Sequence, residues 1–101
     1  MTRPLPLEIS LEQCRHAIER CDARIGSMLE QRAALTRQAQ EIKAALGIRG
    51  RDAKREAHLA ARLATHAPSL GVDGAAAVMA AIIDACLADV QEHNGHREMH
   101  P

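Results

Sequence analysis

The stretch that decides the fold is "IGSMLEQRAALTRQ", residues 25–38, in which Ile25, Met28 and Leu35 keep a helical spacing and Arg32 stands where the next apolar residue belongs. Working outward from it, Leu11, Cys14, Ile18, Cys21, Ile25, Met28, Arg32, Leu35, Ala39, Ile42 and Leu46 alternate steps of three and four. That is the seam of a helix packed against other helices. Ten of these eleven positions are apolar, and Arg32 is the exception. A guanidinium buried without a counter-charge is strongly destabilising. Arg32 therefore needs anionic company from the chain or from a ligand.

The seam sets the first helix at residues 11–46, with Ser10 and Gln13 as a capping box and Gly47 and Gly50 as the break that follows. Asp52 is a plausible N-cap for a second helix that ends at 65–67, ahead of Pro68. "PSLGVDG" reads as a loop whose Asp73 caps a third helix reaching residue 92. Residues 1–10, with Pro4 and Pro6, read as an extended tail, and 93–101 as a flexible one without periodicity. No strand pattern occurs, so the expectation is all-α, a three-helix protomer over 11–92 with a very long first helix. At 1.5 Å per residue that helix spans about 54 Å, whereas a compact domain of this size is about 35 Å across. The simplest cover for its overhanging seam is the same helix of a symmetry mate, giving a homodimer. Gly26, unfavourable inside a helix, suggests a close backbone approach.

Composition narrows the function. With 101 residues, the chain is one domain with a modest core. Lys plus Arg and Asp plus Glu both count 13, so no net charge draws it to nucleic acid or to an anionic membrane. The absence of Phe, Tyr and Trp removes base-stacking platforms. Twenty alanines favour helix and close helix packing. No unbroken apolar run is long enough to span a membrane, and the start lacks a signal-peptide core. Three cysteines suit a reducing compartment, so a cytoplasmic location is expected, with Cys14 and Cys21 as small core residues. His93, His96, Met99 and His100 could take up copper or nickel, but a His-rich end binds such ions weakly without a role, and no metal site is assigned.

Two cations accompany Arg32. Lys43 follows it by eleven residues, three turns, and projects from nearly the same face about 16 Å away. Arg15 precedes it by about 25 Å of helix, too far to share a small ligand within one chain. An antiparallel dimer brings Arg15 of one copy toward Arg32 of the other. After the break, "RDAKRE" puts Asp52 and Glu56 on one face with Arg55 beside them, which mixes acceptors for a hydroxyl with a donor for a carboxylate. A register-fixing seam arginine, a helix-end lysine and a capped ion pair would account for the same residues without any ligand.

In order and spacing, "CRHAI" with Arg15, "EQRAAL" with Arg32, "EIKAALG" with Lys43, "RDAKRE" with Asp52, Arg55 and Glu56, and "AIIDAC" resemble the all-helical class of chorismate mutases over residues 11–91. The resemblance implies an interlocked homodimer with two active sites, each built from both chains, and conversion of chorismate to prephenate in the shikimate pathway of aromatic amino acid biosynthesis. It implies no cofactor. By that likeness Arg32 and the other copy's Arg15 bind the substrate carboxylates, with Arg55 in support. Lys43 meets the ether oxygen and a carboxylate, and Asp52 and Glu56 hold the ring hydroxyl.

The chain departs from the family pattern on the third helix, where a polar residue is usual at the position of Cys86. Four residues later a Gln or Glu is usual at the position of Val90, with Gln91 one step around the helix. All three are substrate-site candidates, and Gln91 substitutes for the missing donor if the register slips by one. "IRGRD" also differs, having Arg49 and Gly50 where relatives often carry Pro and an aliphatic residue. Alternatives sharing the framework are an isochorismate pyruvate-lyase and a mutase of 4-amino-4-deoxychorismate. From another class comes a non-catalytic helical dimerisation or binding module.

Overall fold

The computed structural model describes residues 7–99, with side chains for residues 10–95. The described residues form helix α1 (Leu7–Ala45), helix α2 (Ala53–His66), a 3-10 turn (Pro68–Leu70) and helix α3 (Gly71–Met99), with no strand among them. The all-α reading with a long first helix holds. Two compact units divide the chain, Met1–Gln31 and Arg32–Pro101.

In the first unit the helix begins at Leu7, so Ser10 lies inside it and caps nothing. Nothing in Leu7, Glu8 or Ile9 opposes helix, and a proline just ahead is compatible with a first turn. The seam residues Leu11, Ile18, Ile25 and Met28 are 51%, 58%, 50% and 57% exposed. Cys14 and Cys21 are exposed as well, rather than core residues of the protomer. A Cβ at Gly26 would meet nothing within 4 Å, so the close approach expected there is absent.

In the second unit α1 ends on a Schellman motif. The Ile48 amide donates to the Lys43 carbonyl at 2.8 Å and the Gly47 amide to the Ala44 carbonyl at 3.2 Å. Gly47 sits at φ 74°, the left-handed conformation that motif requires. Asp52 is the N-cap of α2, its side chain accepting from the Arg55 amide at 3.0 Å. The Ala67 amide closes the helix on the Leu63 carbonyl at 2.8 Å.

The segment expected to be a loop is instead the 3-10 turn, and Gly71 at φ 72° turns the chain directly into α3. Asp73 therefore lies in the first turn rather than at the cap, where its charge still favours the helix dipole. At the other end α3 continues past Glu92 to Met99, because helix-forming Gln, Glu, Arg and Met sustain it after its apolar pattern stops. His100 and Pro101 lie outside the described residues.

The core of this unit gathers on one face of α3, where Ala75, Ile83 and Cys86 are the only buried apolar residues among those described. They face α2, which contributes partly buried Leu59, Ala60, Leu63 and Ala64 and no fully buried residue. Against the expectation of no membrane-length segment, Pro68–Gly95 is long enough to cross a membrane and contains an 18-residue window with a mean hydropathy of 1.8. Alanine raises the average without making an unbroken run of large apolar residues. The same helix supplies the core, and its Asp84 and Asp89 sit in ion pairs with Arg51 and Arg37. Length and composition alone make one such helix weak evidence for a membrane span.

Candidate active site

The second unit contains an open groove of about 910 Å³. Arg32, Thr36 and Lys43 of α1, Arg51 of the connecting loop, Asp52, Arg55 and Glu56 at the start of α2, and Asp84, Val90 and Gln91 of α3 line it. Seven of the residues singled out in the sequence thus share one wall or another of a single groove. Cys86 does not line it; its side chain is buried in the core. Arg15 belongs to the other unit.

Arg32 is half-buried, and no carboxylate stands within ion-pair distance of it among the described residues. Its Nη1 reaches only the Thr36 hydroxyl, at 3.5 Å, and that hydroxyl donates to the Arg32 carbonyl at 2.9 Å. The anionic company that its seam position demands is not supplied by this unit. The neighbouring Arg37 behaves differently. Its Nη1 lies 2.6 Å from Asp89 Oδ2, a charge-assisted contact that ties α1 to α3.

Lys43 Nζ donates to the Gly50 carbonyl at 2.9 Å. An ammonium has three N–H donors, so two remain for a ligand. The single bond fixes where the charge sits. It also ties the loop to the last turn of α1.

At the other wall Arg51 forks onto Glu56, Nε to Oε2 and Nη2 to Oε1 both at 2.8 Å, while its Nη1 reaches Asp84 Oδ1 at 3.1 Å. The bidentate hydrogen bonds hold the Glu56 carboxyl below its usual range and the Arg51 guanidinium firmly charged. Asp52 Oδ1 is committed to the Arg55 amide as a helix cap. Glu56 thus presents a charge-compensated carboxylate, and the Arg55 side chain has no ion-pair partner among the described residues.

Reading the sequence missed Arg51 and Asp84. Arg51 sits between two non-helical residues, where no periodicity marks it. The available signal was its place immediately before an N-cap, from which a long side chain reaches the first turn of the helix. Of the His-rich end, His93 Nδ1 lies 2.9 Å from the Asp89 carbonyl and 3.2 Å from its carboxylate. The side chains of His96 and Met99, and all of His100, lie outside the described residues.

A family model described as chorismate mutase type II matches residues 14–91. No curated protein and no solved structure matches the chain.

Proposed function

The chain belongs to the chorismate mutase type II family, and from that premise we propose which residues carry the reaction and how the protein assembles to perform it. The enzyme is an isomerase whose substrate is chorismate. The ether C–O bond of the enolpyruvyl group breaks as a C–C bond to the ring forms within the same molecule, so nothing is gained or lost. Such a reaction needs no nucleophile. It needs the folded conformer held and the negative charge growing on the ether oxygen stabilised.

Arg32 binds one substrate carboxylate, and the absence of any anion beside it among the described residues is the observation that carries this reading. A guanidinium grips a planar carboxylate through two parallel bonds, which fixes orientation as well as charge. Arg55 assists on the same side. Lys43 points its two free N–H groups at the ether oxygen and a carboxylate. Asp52 and Glu56 receive the ring hydroxyl, and Gln91 or the position of Val90 faces the ether oxygen from α3.

The second carboxylate falls to Arg15 of a second copy. A homodimer is supported by the exposed seam of the first unit and by a core in which only three of the described apolar residues are buried. Neither is a stable state for a lone protomer in water. The product feeds aromatic amino acid biosynthesis, and the balanced charge with three free cysteines suits the cytoplasm.

Incubating the pure protein with chorismate and with isochorismate, and identifying products by NMR, tests the assignment. Prephenate from chorismate is expected. Pyruvate released from isochorismate alone would make it a lyase, and unchanged starting material a binding module. Sedimentation of wild type and Arg15→Ala tests the assembly: both should be dimers, with only the variant losing activity.

A further inference from the structure

We infer that Arg51, braced by Asp84, is a specificity-determining residue that makes the groove select a neutral ring hydroxyl and reject a ring ammonium. The inference rests on the rearrangement reading above and names the substrate class within it. Asp52 and Glu56 alone would suit either group, since two carboxylates welcome a cation at least as readily as a hydroxyl. The geometry removes that ambiguity. Both oxygens of Glu56 accept from one guanidinium at 2.8 Å, and Asp84 takes the remaining fork at 3.1 Å. Asp52 Oδ1 is turned to the α2 amide of Arg55.

Each Glu56 oxygen keeps a lone pair, so it still accepts from a hydroxyl. A hydroxyl brings no charge into the contact. An amine at the same ring position is protonated at neutral pH and would sit beside a guanidinium already occupying its counter-ion. Lys43 and Arg55 add further positive charge around the same groove. The ammonium thus loses its water and meets in Glu56 a carboxylate whose charge Arg51 already offsets at 2.8 Å on both oxygens. The hydroxyl gives up one hydrogen bond to water and makes one to Glu56.

The three-residue bridge also makes Arg51 a positioning residue, since it joins the start of α2 to α3 across the groove wall. A purely structural role would lower turnover of every substrate alike. A selective role changes the ratio between substrates.

The test compares kcat/KM on chorismate and on 4-amino-4-deoxychorismate, with products identified by NMR, for wild type, Arg51→Gln and Arg51→Lys. Wild type should prefer chorismate by about tenfold or more, the scale of one like-charge contact near a protein surface. Arg51→Gln should shrink that preference by about tenfold, whatever it does to the absolute rates. Arg51→Lys keeps the charge without the fork, so it should keep the preference while losing rate on chorismate. A wild type that handles both substrates equally overturns the inference, and so does a preference unchanged in Arg51→Gln. The first of these needs no variant and decides the matter if Arg51→Gln does not fold. A wild type inert on chorismate overturns the rearrangement reading itself, a failure separable from a loss of selectivity alone.

Discussion

Replacing Lys43 with alanine removes the only ammonium lining the groove. In the structure that group spends one N–H on the Gly50 carbonyl and leaves two for substrate. Losing a preorganised donor to a developing oxyanion costs about 2.7–4 kcal/mol. Losing a charge-assisted hydrogen bond to a substrate carboxylate adds about 1.5–3 kcal/mol, so kcat/KM should fall by about 10³- to 10⁵-fold. The bond to Gly50 is solvent-exposed, and its loss should lower stability by about 1 kcal/mol or less. Prephenate formation followed by NMR, with circular dichroism and sedimentation as controls for fold and assembly, gives both numbers. Lys43→Gln separates the parts, because its amide still donates but carries no charge. A folded Lys43→Ala enzyme within tenfold of wild type would refute the electrostatic argument, since the loss expected of a preorganised cationic donor is far larger.

Three further outcomes follow from the geometry. Val90→Gln should raise kcat/KM if position 90 faces the ether oxygen, while a large loss in Gln91→Ala with no gain in Val90→Gln would place the donor one residue on. Gly26→Ala should stabilise the protein by about 0.5–1 kcal/mol in thermal or urea unfolding, because the added methyl meets open space; a destabilised dimer would mean that a second copy crosses there. The carboxyl of Glu56 is held low by Arg51, so its folded pKa lies below its unfolded one. Its stabilising contribution is then fully present above the ordinary carboxylate range and disappears as pH falls through the lowered value. Wild-type activity should accordingly persist to a lower pH than that of Arg51→Gln, whose acid limb should move upward; coincident acid limbs would detach Glu56 from Arg51.

The parts of this molecule written in local pattern were legible in its sequence. Alternating steps of three and four fixed α1, and Gly47, Asp52 and Pro68 marked ends that depend only on neighbouring backbone. Arg32 could be singled out because a charge in an apolar seam violates a pattern. The start of α1 and the end of α3 were harder, since both continue through helix-favouring residues that carry no seam. Contacts between distant segments left no trace. Nothing in the order of residues announces that Arg37 meets Asp89, or that Arg51 spans Glu56 and Asp84. The burial of Cys86 was equally hidden, because it depends on which face of α3 meets α2.

The bond from Lys43 to the Gly50 carbonyl couples two things usually tuned apart, the path of the connecting loop and the placement of a reactive charge. Changes at Gly47, outside the groove lining, or at Gly50, whose carbonyl holds the lysine, would re-aim that ammonium. Rate in this enzyme is thus adjustable from the bend as well as from the pocket, and a search for faster variants has reason to begin in the connector.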